Sequence, residues 1–343
     1  MISFNARQVG ADAPPYIIAE ACINHGGDII VAKEMVHAAA AADADAIKFQ
    51  FHVLDDEMLR NTPQSDNFEI PLYDALEQTN LSIEEHLEIK VLCKSLDIDY
   101  MCTPFSRASA DVLLREIGID VFKVGSGELT NLPFQRHMAK SGVPMIVSTG
   151  MSEVEEIDET VDLLRSFDTS FALMHCVSIY PCPYERVNLQ RIPAMIERYQ
   201  VPVGLSCHTP SIYTAFGAVA LGARIIEKHL SLDRSLPGPD HSSSIEPDEL
   251  AEMVKGCRAI FAANGAERTI FPEEKQIVAW ARESVVSVVD IPAGAVIAPD
   301  MIGVKRPSPG EGVLAAREFD LVIGRRALVD IVADRQILKA EIE

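Results

Sequence analysis

Basic residues are scarce in this chain of 343 residues. It has 30 lysines and arginines against 51 aspartates and glutamates, which gives a formal net charge of -21. Nucleic acids and anionic membranes are bound through basic surfaces, so this balance argues against both as partners. An anionic substrate would need a local cluster of positive charge, built against the field of the whole protein.

Long apolar runs and paired cysteine motifs are also missing. No apolar run approaches the roughly 20 residues that a membrane span needs. Residues 1–15 have neither the basic nor the apolar region of a signal peptide. The seven cysteines show no CxxC spacing. This usage is typical of buried, reduced thiols, and the sequence therefore predicts a cytoplasmic protein.

Eight short apolar runs alternate with segments of helical spacing over residues 1–263, the predicted first domain. Strands that are apolar almost throughout are typical of a parallel sheet covered by helices on both faces. The predicted strands span 16–24, 46–51, 99–105, 120–126, 144–150, 171–180, 201–209 and 223–230. Eight such units in about 250 residues favour a (β/α)8 TIM barrel. The alternative, an open doubly wound sheet, usually carries a GxGxxG motif that is absent here.

The chain changes character after residue 263. Residues 264–283 are polar and mixed, and we interpret them as a linker. Residues 284–343 are rich in Val, Pro and Gly, with turn signals every few residues. This composition predicts a small, mostly β domain that is marginal alone and docks elsewhere.

Each predicted barrel strand ends in polar residues. Barrel enzymes place their chemistry at the carboxyl ends of the strands, so these residues are expected to form one site. Lys48 and Lys123 would contribute point charge to a cradle for phosphate or carboxylate, and nearby hydroxyl groups would donate short hydrogen bonds. The hydroxyl groups belong to Thr103, Ser126 and Ser148.

Two histidines end neighbouring predicted strands. His208 and His229 could hold a divalent cation with open positions for water and substrate, and such an ion would act as a Lewis acid on a carbonyl. Glu20 and Asp240 are candidates for general acid–base chemistry or for binding a substrate hydroxyl. A strand-end histidine can equally be a hydrogen-bonded core residue, but two on adjacent strand ends favour a metal site.

The strand-end residues belong to a series of motifs along the chain: IIAEACINHGGD, AIKFQ, CTPFS, FKVGSGEL, STGM, SIYPCP, GLSCHT, IIEKH and LPGPDH. Their order and composition resemble the sialic acid synthase family. That family condenses phosphoenolpyruvate with an amino sugar to make nine-carbon 2-keto acids. The tail resembles the small antifreeze-like (SAF) domain that follows these barrels, so the resemblance covers nearly the whole chain.

The resemblance implies a role for each strand-end residue. The phosphoenolpyruvate site would consist of Lys48, Thr103, Lys123, Ser126, Ser148, Ser178 and Tyr180. Residues contacting the sugar would be Gln50, Asn67, Glu128 and Asp240. A divalent ion, Mn2+ in the first place and otherwise Mg2+ or Co2+, would be bound by His208 and His229. Glu20, Lys48 and His229 would act in catalysis. The resemblance also implies a domain-swapped homodimer in which Arg306 reaches the partner's sugar site.

In the reaction implied by the resemblance, C3 of phosphoenolpyruvate attacks the aldehyde of the open-chain sugar, whose oxygen the metal polarises. Water adds at C2, and phosphate leaves by C–O cleavage. Either Glu20 or a metal-bound water would manage the protons.

The acceptor sugar stays open. N-acetylmannosamine would give N-acetylneuraminate, 2,4-diacetamido-2,4,6-trideoxymannose would give N,N'-diacetyllegionaminate, and the related altrose would give pseudaminate. The motif AEACINHGGD is closer to the first two branches, and SIYP favours legionaminate.

Two other functions fit parts of the pattern. A lysine aldolase on the same barrel would form a Schiff base through Lys48 or Lys123 and would need no metal. A non-catalytic protein that binds carbohydrate or ice through its tail is the second, but it leaves the polar strand ends unexplained.

Overall fold

The computed structural model describes residues 1–5, 7–10, 12–63 and 70–343. The chain divides into two compact units, Met1–Gly265 and Ala266–Glu343. Among the helices of the described residues, none combines the length and the apolar composition needed to cross a bilayer. All seven cysteines are free and buried, as their spacing predicted.

The first unit begins with a hairpin of two short antiparallel strands, β1 (Ile2–Phe4) and β2 (Arg7–Val9). Eight parallel strands follow. They are β3 (Tyr16–Cys22), β4 (Ala46–Phe51), β5 (Asp99–Pro104), β6 (Phe122–Val124), β7 (Met145–Ser148), β8 (Phe171–Cys176), β9 (Val203–Cys207) and β10 (Ile225–His229). Consecutive strands pair from β3 to β5 and from β6 to β10, β10 pairs with β3, and β5 lies against β6. The predicted TIM barrel is confirmed.

Helices connect the barrel strands, and a last helix follows the eighth strand. They are α1 (Ile29–Ala41), α2 (Leu54–Glu57), α3 (Leu72–Thr79), α4 (Ile83–Ser95), α5 (Arg107–Val112), α6 (Leu132–Ala139), α7 (Val154–Ser166), α8 (Arg191–Tyr199), α9 (Tyr213–Ala220) and α10 (Pro247–Ala263). A π-helical turn, Leu113–Ile117, extends α5, and 3-10 turns cover Ser126–Glu128, Tyr184–Arg186 and His241–Ser243. Asp28 and Ser82 cap α1 and α4, where each side chain accepts a hydrogen bond from a backbone amide of the first turn.

The barrel interior has an apolar lower layer and a polar upper layer. The lower layer packs with the β1–β2 hairpin at the amino ends of the strands and includes Ile18, Ala46, Met101, Val121, Ile146, Met174 and Ile225. Because side chains two residues apart on a strand share a face, the next inward layer is fixed by these positions. It consists of Glu20, Lys48, Thr103, Lys123, Ser148, Cys176 and Glu227. The strand periodicity therefore places charged groups directly above the apolar lower layer.

The second unit has its own apolar core. It contains the helices α11 (Lys275–Ala281) and α12 (Phe319–Val322) and the antiparallel strands β11 (Ser284–Ser287) and β12 (Ile302–Lys305). Four 3-10 turns, Pro272–Glu274, Pro299–Met301, Ala316–Glu318 and Lys339–Glu341, and several isolated β-bridges complete it. Its core consists of Val285, Ile291, Ile297, Ile302, Leu314, Val322, Ala327, Ile331 and Ile337.

Candidate active site

A cavity of about 510 Å³ opens at the carboxyl ends of the barrel strands. It brings together most of the residues that the sequence singled out. These are Glu20, Lys48, Gln50, Thr103, Lys123, Ser126, Glu128, Ser148, Ser178, Tyr180, His208, His229 and Asp240. Asn67 lies outside the described residues. Arg306 belongs to the second unit, where its Nε donates to the carbonyl of Ala281 at 3.1 Å.

A buried cluster of two lysines and one glutamate forms the floor of the cavity. Oε1 of Glu227 lies 3.5 Å from Nζ of Lys123, and Oε2 lies 3.7 Å from Nζ of Lys48. Ser206 donates to Oε1 of Glu227 at 2.9 Å. The glutamate compensates two ammonium charges that would be costly to bury alone.

The charges of this floor are set by burial and by proximity. Burial, together with the nearby charge of Lys123, lowers the pKa of Lys48 to about 8, although Glu227 opposes the change. Burial by itself would raise the pKa of Glu227, but Lys123 and Lys48 outweigh it and hold that pKa well below its usual range. At neutral pH the floor therefore carries an ionised carboxylate beside the two lysines.

Hydroxyl and carboxylate groups surround both lysines. Nζ of Lys48 contacts the carboxylate of Glu20 and donates to Oγ1 of Thr103 at 3.1 Å. Nζ of Lys123 donates to Oγ of Ser148 at 2.7 Å. The other oxygen of Glu20 accepts a hydrogen bond of 2.8 Å from the backbone amide of Cys22, which fixes the orientation of the carboxylate.

Three small residues that follow β6, β7 and β8 extend the floor of the cavity: Ser126, Gly150 and Ser178. The backbone amide of Gly150 donates to Oγ of Ser126 at 3.1 Å. A Cβ atom at Gly150 would lie 2.5 Å from Oγ of Ser178 and 2.7 Å from Oγ of Ser126. Glycine is therefore required for two hydroxyls and a backbone amide to converge. Such a convergence next to ammonium groups is well suited to phosphate oxygens.

The two predicted metal-binding histidines lie side by side, with ring centroids 5.4 Å apart. Nδ1 of His208 is 2.8 Å from the carbonyl of Val177, to which it donates, and this tautomer leaves Nε2 with a lone pair. Nδ1 of His229 is buried and has no hydrogen-bond partner among the described residues. Burial, reinforced by His208 and Lys48, lowers the pKa of His229 well below its usual range, so this imidazole is neutral.

Neutral imidazole nitrogens are common ligands of divalent cations. The orphaned nitrogen of His229 and the fixed tautomer of His208 therefore fit the ion that the sequence predicted. The ring of Tyr180 packs against His208 at 4.0 Å between centroids and restricts its movement. Burial raises the pKa of the nearby Asp240 carboxyl, while Cys22 and His208 oppose this change.

The sequence interpretation missed Glu227 and Cys22. Glu227 lies two residues before His229 on β10, so strand periodicity could have identified it as inward-facing. Sγ of Cys22 donates to Oδ2 of Asp240 at 3.0 Å and accepts from Nε2 of Gln50 at 3.0 Å. Ligand atoms of Cys22, His229 and Asp240 lie within 4.8 Å of one another. No spacing rule in the sequence pointed to this cysteine.

Comparisons with known proteins agree with the fold. Residues 35–269 match the model of the NeuB family, and residues 282–343 match the model of the SAF domain. The N,N'-diacetyllegionaminic acid synthase of Legionella pneumophila is 35% identical over 350 residues, which cover 97% of this chain and 96% of that protein. The N-acetylneuraminate-9-phosphate synthase of Mus musculus is 32% identical over 348 residues, covering 98% and 95%.

Among solved structures, the N-acetylneuraminic acid (sialic acid) synthetase from Leptospira borgpetersenii, crystallised in complex with citrate, is 32% identical. The similarity covers 81% of this chain and 94% of that chain, with a TM-score of 0.74. Both the predicted barrel and the predicted SAF domain are therefore confirmed. The chain belongs to the NeuB family and carries an SAF domain at its C-terminal end.

Proposed function

We propose that this protein condenses phosphoenolpyruvate with an open-chain N-acetylated amino sugar, giving a nine-carbon 2-keto acid and phosphate by C–O cleavage. The observation that carries the proposal is one cavity in which two buried lysines, beside convergent hydroxyls, adjoin two histidines suited to a divalent ion. The similarity to synthases of N,N'-diacetyllegionaminic acid and N-acetylneuraminate 9-phosphate supports the same reaction class.

Phosphoenolpyruvate binds at the cavity floor in this proposal. Lys48 and Lys123 supply positive charge to its phosphate and carboxylate, and the hydroxyls of Thr103 and Ser148 already contact the two ammonium groups. Ser126, Ser178 and Tyr180 line the same cavity and complete the subsite. This local cluster meets the requirement that an anionic substrate imposes on a chain with a net charge of -21.

His208 and His229 would hold the divalent ion, Mn2+ or else Mg2+ or Co2+. When bound, such an ion supplies Lewis-acid chemistry toward the aldehyde oxygen of the sugar. Glu20 is oriented by the amide of Cys22 and by Lys48, and we assign it to proton transfer for the water that adds at C2.

The sugar occupies the upper part of the cavity, where Gln50, Glu128 and Asp240 are only partly buried. Carboxylates and an amide suit the hydroxyl and acetamido groups of an amino sugar. We place 2,4-diacetamido-2,4,6-trideoxymannose first and N-acetylmannosamine second as acceptors. In the proposed homodimer, which we place in the cytoplasm, Arg306 of each SAF domain contributes to the sugar site of the partner.

The first experiment measures phosphate release from phosphoenolpyruvate with either sugar, with Mn2+ and then with excess EDTA. Release that needs both the sugar and the metal supports the proposal and names the acceptor. Phosphoenolpyruvate labelled with 18O at its bridging position tests the bond that breaks, because C–O cleavage delivers the label to phosphate. A label retained in the keto acid contradicts it.

Two variants and a chemical probe distinguish the proposed synthase from a lysine aldolase. Lys123→Met should abolish phosphate release, whereas Lys33→Met, which removes an exposed lysine paired with Glu88, should leave it unchanged. Borohydride reduction in the presence of a keto acid would trap a Schiff base on Lys48 or Lys123. Covalent trapping, together with activity that EDTA does not change, would reject the synthase and support the aldolase.

A further inference from the structure

Cys22 ends β3 in a backbone conformation that residues with a Cβ atom seldom adopt. Its φ angle is +48°, and the register between β3 and β4 shifts between Glu20 and Cys22. Such left-handed positions in residues other than glycine cost free energy and concentrate at functional sites. The irregularity directs the thiol into the cavity, where Cys22 is one of the lining residues.

The thiol faces two groups that could share a cation with it, the carboxylate of Asp240 and the imidazole of His229. Sγ lies 3.0 Å from Oδ2 of Asp240, and ligand atoms of Cys22, His229 and Asp240 all lie within 4.8 Å of one another. His229 contributes a ring nitrogen, and its Nδ1 is buried without a partner in the part of the chain that the structure describes. Cys22 is 6% exposed and His229 is 7% exposed, so a cation here would be almost completely removed from bulk water.

Charge balance favours a thiolate and a carboxylate among the ligands over two imidazoles alone. A divalent cation held only by His208 and His229 would bring two uncompensated positive charges close to the buried Lys48 and Lys123. The carboxylate of Asp240 and a thiolate at Cys22 would together neutralise the ion. Burying a charge without such compensation is costly.

We propose that Cys22 is a thiolate ligand of the divalent cation in this cavity, together with His229 and Asp240, and that it directs the site toward thiophilic metals such as Zn2+ and Co2+. The thiol proton, which now points to Asp240, leaves to solvent as the metal–sulfur bond forms. Thiolates select softer metals, whereas sites of imidazole and oxygen alone accept Mn2+ and Mg2+ more readily. This inference rests on the metal site of the proposed function, and its test measures metal binding and needs no turnover.

The test uses the full-length protein loaded with Co2+ and read by absorption spectroscopy. A cobalt–thiolate bond gives an intense charge-transfer band in the near ultraviolet, which imidazole and carboxylate ligands lack. The wild-type protein should show this band. Cys22→Gly should lose it, and glycine adopts positive φ without strain, so this variant is expected to fold. Cys22→Ser, which keeps the size of the side chain, should lose the band as well.

Two other cysteines provide matched controls. Cys257→Ala removes a buried thiol from α10 and should keep the band. Cys176→Ser tests the other thiol of the cavity, whose Sγ lies 3.9 Å from Nδ1 of His208, and should also keep it. In equilibrium dialysis, Cys22→Gly should weaken Zn2+ binding by more than about tenfold and change Mn2+ binding far less.

The outcomes separate this inference from the proposed function. A charge-transfer band that persists in Cys22→Gly, or Co2+ binding to the wild-type protein without such a band, overturns the role of Cys22 and leaves the histidine site intact. Failure of the wild-type protein to bind any divalent ion overturns the metal site and this inference together. Sulfur ligation in a protein that releases no phosphate from phosphoenolpyruvate would support the ligand set and reject the synthase.

Discussion

Nζ of Lys123 lies 3.5 Å from Oε1 of Glu227, and both side chains are inside the barrel with at most 6% of their surface exposed. The strands around the pair and the apolar layer below it shield it from solvent on every side except that of the cavity. Its charges therefore interact much more strongly than those of a surface pair. The same carboxylate also serves Lys48, so a change at Glu227 acts on both lysines of the floor.

Glu227→Gln should lower the free energy of unfolding by about 3 kcal/mol or more, because it removes the carboxylate paired with Lys123 and one of the two paired with Lys48. Phosphoenolpyruvate should restore part of this loss, so its stabilising effect should be larger in the variant than in the wild-type protein. Denaturant unfolding with and without the ligand measures both quantities. Glu88→Gln, at a mostly exposed carboxylate paired with Lys33, should change stability by less than about 1 kcal/mol. An equal effect of the two substitutions would contradict the buried role.

Phosphoenolpyruvate affinity should fall above pH 8. Burial lowers the pKa of Lys48 to about 8 in the folded protein, so its ammonium charge is lost as the pH rises through that value. The dissociation constant should then rise by up to about tenfold per pH unit, since one proton accompanies binding. Titration calorimetry from pH 7 to pH 10 measures it. Lys48→Arg, which stays charged, should remove the dependence.

The same pKa shift predicts the direction of a stability change. Between pH 8 and the ordinary lysine pKa of about 10.4, the unfolded chain retains a proton that the folded chain has lost. The contribution of Lys48 to the free energy of unfolding therefore increases as the pH rises through this window. The free energy of unfolding of the wild-type protein, minus that of Lys48→Met, should increase with pH across this window. A difference that stays constant across this window would show that Lys48 remains protonated when buried.

Gly150→Ala should impair the phosphate-binding region selectively. The added Cβ would lie 2.5 Å from Oγ of Ser178 and 2.7 Å from Oγ of Ser126, so the hydroxyls must separate. Overpacking of this kind costs about 1–3 kcal/mol, which corresponds to a rise of about fivefold to 150-fold in KM for phosphoenolpyruvate. KM for the sugar should change far less. At Gly265 an added Cβ meets no described atom within 4 Å, so Gly265→Ala is the matched control.

Mixing two inactive variants tests the proposed exchange of SAF domains. Arg306→Ala removes the residue expected to reach the partner's barrel, and Lys123→Met disables the barrel itself. A mixed dimer would contain one intact barrel covered by one intact SAF domain. Random exchange at equal amounts should therefore restore about a quarter of the wild-type activity. If mixed dimers, isolated through a tag on one chain, show no activity, Arg306 does not act across subunits.

The barrel could be predicted from sequence because its pattern is local. Eight β-branched, apolar runs of strand length alternate with helical segments, and each strand is buried on both faces. Lys48 and Gln50 could be assigned to one face because they lie two residues apart on β4. The hairpin over Ile2–Phe4 and Arg7–Val9 was not predicted, because three-residue strands are too short to show a period.

The parts of the site that sequence reasoning missed depend on closure of the barrel. Glu227 meets Lys48 and Lys123 only because β10, β4 and β6 curve around one interior, and no spacing along the chain encodes that distance. Cys22 was missed for a different reason. Its exposure to the cavity follows from a positive φ angle and a register shift, which are properties of the folded backbone.

The β1–β2 hairpin has a consequence for the order in which ligands come and go. With Ile2, Phe4 and Val9 packed into the lower end of the barrel, molecules reach the charged floor through the upper mouth. A ligand seated on Lys48 and Lys123 must therefore arrive before one that contacts Gln50 and Asp240, which line the cavity above them. Because the barrel is closed at its lower end, the deeper ligand must bind first and leave last.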